Sequence, residues 1–162
     1  MHGSNGAETG GSSRLRNRTP AEIQARFPRL NSGNYRETSH ATDRYNCMAF
    51  ANYDERRWWE PLFGGRFYWP PNVGSAFTLD TSSRIFLQNG YVPTDSSDVE
   101  PGFEKVALYE DHYKDIHVAI SDGNTWKSKL GAWQDIEHLS LDLLEGDNQY
   151  GSVRMILQRK KP

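Results

Sequence analysis

The run His117-Val118-Ala119-Ile120-Ser121-Asp122-Gly123-Asn124-Thr125-Trp126-Lys127-Ser128 constrains the fold of this chain more than any other segment. Apolar residues lead into an Asp-Gly pair, which suits a tight turn whose central residues take positive φ and so joins two antiparallel strands. A hairpin follows, with strands expected at 116–120 and 125–129. Because side chains alternate along a strand, Ile116, Val118 and Ile120 share one face and the His117 imidazole projects from the other. With the turn centred on Asp122-Gly123, His117 is expected opposite Ser128.

Two further extended segments, 104–109 and 151–159, complete an antiparallel sheet, and helices account for the earlier part of the chain. Thr19-Pro20-Ala21-Glu22 combines a cap, a proline at the first helical position and an acid in the first turn, predicting a helix over 20–27. A second helix opens at Cys47, with Asp43 as its cap, and fades through Asp54–Arg57. A third is expected over 75–89, capped by Ser75 and closed by Asn89-Gly90. The Pro- and Gly-rich stretch 61–74, with Phe63, Phe67, Tyr68 and Trp69, predicts an ordered, ring-lined loop beside the site. Residues 1–18 are rich in Gly and Ser, end in a basic run and hold little to bury, so they are expected to be a disordered linker or tail. Residues 19–162 then form one domain.

Composition narrows the function classes. Only 36% of residues are hydrophobic but 12% are aromatic, with five Trp, which predicts a small, ring-rich core. The balance of 19 basic and 21 acidic side chains gives no electrostatic footprint for nucleic acid or an anionic membrane. No apolar run reaches the ~20 residues that span a bilayer, and the start lacks a basic-then-apolar secretory signal. The expectation is a soluble monomer that binds neither nucleic acid nor membrane. Its Gly/Ser-rich start fits an effector or toxin domain of a larger protein, delivered by a specialised apparatus and met by an inhibitor or immunity protein.

Cys47 is the only cysteine, so it cannot form an internal disulfide, and at a helix start the free N–H groups favour its thiolate. His117 is the candidate base. Ser128, by hairpin register, or Asp135, as the stronger acceptor, would fix the imidazole. Asn46 and the N–H of Cys47 are candidate oxyanion donors, and Trp59, Trp69 and Trp126 are candidate walls of a substrate groove. His138 competes with His117 for the role of base. A metal site from His117, His138 and Asp135 has no supporting spacing, and no cofactor or metal is expected. Arg56-Arg57, Lys127 and Lys129 read as solvated charge. The bland alternatives are a buried, inert thiol and aromatic residues that serve only as core.

The segments Tyr45-Asn46-Cys47-Met48-Ala49-Phe50-Ala51 and His117 through Ser128 resemble the papain-like fold superfamily, within it the compact NlpC-type bacterial cysteine peptidases and amidases. Together with Trp58-Trp59-Glu60-Pro61, Tyr68-Trp69-Pro70, the strand 104–109, Trp126–Gly131 and Asp135–His138, they resemble more closely an uncharacterised bacterial domain family with the same Cys-then-His order. The resemblance implies Cys47 as nucleophile, His117 as base and Ser128 at the third polar position, where the NlpC type usually carries His and papain Asn. It implies an α+β fold in which an antiparallel sheet packs on the nucleophile helix. The expected activity is hydrolysis of an amide in a peptide, a protein, a peptidoglycan-like cross-link or a glutamine side chain, with deamidation or acyl transfer on the same residues. The alternative is a non-catalytic interaction module on this fold with an aromatic binding surface.

Overall fold

In the computed structural model of the chain, residues 15–61 and 65–162 are described. Residues 1–14 of the expected linker and Phe63 of the ring-rich loop lie outside the described residues. Within 15–18, Leu15 donates its N–H to Ala41 O at 3.1 Å and Arg18 donates its own to Gln134 Oε1 at 3.1 Å.

The chain is α+β, with a seven-stranded antiparallel sheet and few helices. In chain order the elements are α1 (Pro20–Arg26), β1 (Tyr35–Glu37), α2 (Cys47–Ala51), α3 (Leu79–Leu87), β2 (Val92–Thr94), β3 (Phe103–Glu110), β4 (Ile116–Ser121), β5 (Trp126–Lys129) and β6 (Asp135–His138). A 3-10 turn (Leu141–Leu144) and β7 (Ser152–Lys160) complete it. The sheet order is β1-β6-β5-β4-β3-β7-β2. Among the described residues no helix is long and apolar enough to cross a membrane.

Alternation along the strands divides the core into two layers. Val106, Leu108, Val118, Ile120 and Leu157 face α2 and α3, meeting Met48, Ala49, Ala51, Ile85 and Phe86. Ala107, Tyr109, Ala119, Trp126 and Ile136 face α1 and the 3-10 turn, meeting Ile23, Phe27, Leu30, Leu141 and Leu144. The small residues of α2 allow the close approach of its backbone to β4 and β5. Among the ring-bearing candidates, Trp126 belongs to the α1 side.

Local chemistry moves several boundaries. The third helix starts at Leu79 rather than near Ser75, because Thr78 and Thr81 form a reciprocal capping box, each side-chain oxygen accepting the other's N–H. Asn46, not Asp43, caps α2, accepting the Ala49 N–H at 3.1 Å. The hairpin pairs Ser128 with Ala119 rather than His117, since a four-residue loop, 122–125, replaces a two-residue turn. Lys129 is not solvated: it is fully buried, donating to the Thr42 carbonyl at 2.8 Å and to that of Gly131. Lys127 stays half-buried and pairs with Asp122 at 3.4 Å.

Candidate active site

Asn46 sets the position of Cys47 by joining the start of α2 to the following loop. Its Oδ1 accepts from Ala49 N and, at 3.2 Å, from Trp59 N, while its Nδ2 donates to Trp59 O at 2.7 Å. The amide is buried, with its oxygen and one Nδ2 proton engaged by backbone groups, so the position expected to supply an oxyanion donor serves here as the cap of α2 and its tie to Trp59. Cys47 follows with 8% of its surface exposed. The helix that it opens packs against β4 and β5, and the backbone N–H of Val118, the residue after His117, is among the groups that favour its thiolate. The β4–β5 pairing ends at Ala119 and Ser128, so Val118 and His117 lie beyond the end of that ladder.

Burial pushes the Cys47 thiol above its ordinary range, against the lowering effects of the Val118 N–H, the Lys129 charge and the N–H groups of Met48 and Cys47 itself. The resting thiol is therefore not acidified as its helix position alone predicts, because desolvation outweighs the aligned dipoles. Lys129 is lowered to about 8 by burial, opposed by Asp135, Cys47 and Asp43.

His117 projects from the α1 face, 2% exposed, and is held in a stack of rings. Tyr150 lies against it with centroids 3.8 Å apart and planes 7° from parallel, and Tyr109 approaches at 5.3 Å. Burial lowers the His117 pKa well below the usual histidine value, with smaller contributions from His138 and Arg26. Its Nε2 is 3.0 Å from Ser128 Oγ, which is 2.9 Å from His138 Nε2. His138 Nδ1 is 3.0 Å from the Ser140 carbonyl. Both nitrogens of His138 are thus engaged, which removes it as a rival base; burial lowers its pKa to about 4. The sulfur of Cys47 and the His117 ring make no hydrogen bond to each other.

Asp135 does not reach His117, and strand parity is the reason. Ser128 pairs with Ile136 and Lys129 with Asp135, so Asp135 projects with Lys129 toward α2 while Ser128 and His138 project toward α1. There Asp135 Oδ2 accepts the Tyr45 hydroxyl at 2.9 Å, and burial raises its pKa against the effects of Tyr45, Ser39 and Lys129. Trp126 is buried in the α1-side core with its indole N–H on the Ser97 carbonyl at 3.2 Å. Trp69 donates to the Gly74 carbonyl at 2.9 Å and packs on Phe77. Trp59 donates to Asp54 at 2.8 Å and lines a cleft of about 520 Å³ with Tyr53, Tyr68, Tyr91 and Arg159. Among the described residues no group of three His, Cys, Asp or Glu side chains is placed to hold a metal ion.

Tyr150 was not singled out from the sequence, and Lys129 was read there only as solvated charge. Tyr150 lies in the loop closed by the Gly146–Gly151 bridge, and negative charge on Cys47 raises its hydroxyl pKa after burial does. A tyrosine in a polar loop carries no periodic signal; the flanking glycines were the available clue. Gly151 has φ 76°, and a Cβ there would lie 2.2 Å from the Glu110 carbonyl oxygen.

Fold and site together define an α+β protein with a seven-stranded antiparallel sheet, a buried histidine on β4 and a buried cysteine at the start of α2, the helix that packs on β4 and β5. The chain belongs to the family described as Domain of unknown function (DUF7689), whose pattern matches residues 36–158. No curated protein and no solved structure matches the chain.

Proposed function

We propose that the protein is a thiol hydrolase of amide bonds on a papain-like, NlpC-type arrangement, with Cys47 as nucleophile and His117 as base. The supporting observation is the packing of α2, which opens at Cys47, against β4, which carries His117, with Ser128 Oγ 3.0 Å from the imidazole Nε2. Both groups are neutral at rest, so the reaction starts from a thiol and an imidazole. His117 takes the thiol proton as sulfur bonds to the amide carbon, and the N–H groups of the first turn of α2 favour the negative charge that develops. Collapse breaks the C–N bond, His117 protonates the leaving amine, and water then hydrolyses the thioester to a carboxylate and the free thiol. Substrates in reach of this chemistry are peptide and protein amides, peptidoglycan-like cross-links and glutamine side chains, and acyl transfer follows where an amine replaces water. Delivery as an effector or toxin domain, and control by an inhibitor protein, belong to the same reading.

The test is a panel of peptidyl, γ-glutamyl and cross-linked amide substrates, read by product release and by intact mass for an acyl group on Cys47. Turnover that disappears in Cys47→Ala supports the reading. Turnover that persists in Cys47→Ala, or a panel with no Cys47-dependent product, overturns it. One observation favours a second reading, the interaction module: the thiol is buried, whereas Tyr53 is 57% exposed beside the aromatic cleft. A folded protein whose Cys47 resists every electrophile would select that alternative.

A further inference from the structure

The chain of contacts behind His117 has a direction, and the direction follows from donor and acceptor chemistry. The Ser140 carbonyl only accepts, so His138 Nδ1 at 3.0 Å must carry a proton. His138 is 1% exposed, has no carboxylate among its hydrogen-bond partners, and is therefore neutral near pH 7, which leaves its Nε2 a bare acceptor. The Ser128 hydroxyl owns one proton and donates it there, across 2.9 Å. Its oxygen can then only accept from His117 Nε2, across 3.0 Å. A neutral His117 with its proton on Nε2 has its lone pair on Nδ1.

We propose that His138, acting through the Ser128 hydroxyl, is the positioning residue that holds His117 in the Nε2-protonated tautomer and so makes Nδ1 the basic atom of the site. His138 touches neither Cys47 nor the His117 ring by hydrogen bond; its influence passes through one oxygen. A serine alone is a two-way group, because its hydroxyl can rotate to donate to His117 instead. The anchored His138 removes that freedom, since a serine that turned away would leave two buried ring nitrogens in conflict or unpaired. Parity places all three side chains on one face: Ser128 and His138 follow one another diagonally across β5 and β6, and His117 lies diagonally from Ser128 across β4. The inference rests on the proposed role of His117 only for its catalytic meaning, because the tautomer exists whether or not the protein turns over a substrate.

The experiment is long-range 1H–15N correlation NMR of the full chain labelled in its imidazole nitrogens, near pH 7, where protonated and bare ring nitrogens are well separated. The wild type is expected to show His117 protonated on Nε2 and His138 on Nδ1. In His138→Phe, which keeps a ring but no acceptor, the Ser128 hydroxyl is released and the His117 Nε2–H signature is lost in favour of Nδ1–H. His138→Gln, whose amide oxygen reaches toward the former Nε2 position, restores it. A wild-type His117 protonated on Nδ1 overturns the proposal without any variant. So does an unchanged His117 tautomer in a folded His138→Phe protein. An inert Cys47 in the same preparations would count against the hydrolase reading and leave the tautomer result standing.

Discussion

Acidification from pH 7 to pH 5 should cost this fold stability through two histidines rather than through its carboxylates. His138 has a folded pKa of about 4, and His117 lies well below its ordinary 6.5, both chiefly because burial disfavours the charged ring. The unfolded chain therefore takes up protons first, and the stability present above about pH 6.5 declines as pH falls toward the folded values. For His138 alone, an unfolded pKa of about 6.5 against a folded one of about 4 removes about 2 kcal/mol between pH 7 and pH 5. His117 acts in the same direction. The lowered carboxyls of Asp54, Glu104 and Asp122 start from 3.8 to 4.5, so their contributions are retained at pH 5 and lost only below it. Against a total of roughly 5–15 kcal/mol for a domain of this kind, a loss of 2 kcal/mol or more is readily measured. Urea unfolding at pH 7, 6 and 5 is the assay, with His138→Gln expected to reduce the pH dependence by about 2 kcal/mol. A pH dependence that is the same within about 0.5 kcal/mol in wild type and in folded His138→Gln would refute the claim that the His138 imidazole is buried and neutral.

Three substitutions test the framework around the site. Asn46→Ala removes the cap of α2 and leaves the Trp59 N–H and carbonyl without their partner, so urea unfolding should show a loss of about 2–3 kcal/mol. Gly151→Ala forces a Cβ against the Glu110 carbonyl at a positive φ, and should cost at least about 2 kcal/mol while loosening Tyr150 from His117, which faster Cys47 alkylation would reveal. Tyr91→Phe deletes a buried hydroxyl that has no hydrogen-bond partner, and its thermal midpoint should match or exceed that of wild type; a clear fall would mean the hydroxyl is satisfied.

The hairpin around Asp122-Gly123 was legible because turn chemistry and alternation agree there, and the same alternation placed the His117 side chain away from Val118 and Ile120. The helix at Cys47 was legible from its small apolar residues, although the cap was not, since Asp43 and Asn46 are equally good cap types and only Asn46 precedes the first helical residue. β6 was hidden: Asp135-Ile136-Glu137-His138 has one aliphatic residue, and its burial depends on pairing with β5 and β1 rather than on its own hydrophobicity. With β6 unseen, no parity argument could separate Asp135 from His138, and the relay behind His117 stayed out of reach. Lys129 was hidden for a related reason, because a lysine reads as solvent-facing unless the carbonyls that receive its ammonium are known. The raised Cys47 thiol shows the limit of a helix-dipole argument made without burial: three N–H groups and a nearby cation do not outweigh desolvation in the closed site.

The most direct measurement on the central claim is the rate of Cys47 alkylation by iodoacetamide against pH, in wild type and in His117→Asn, with the fold of each checked by its amide spectrum. If His117 removes the thiol proton, the variant should react at least about tenfold more slowly near neutral pH, and the two rates should converge at high pH where the thiol ionises unaided. Equal rates across the range, in two equally folded proteins, would contradict the pairing of Cys47 with His117 and the hydrolase built on it.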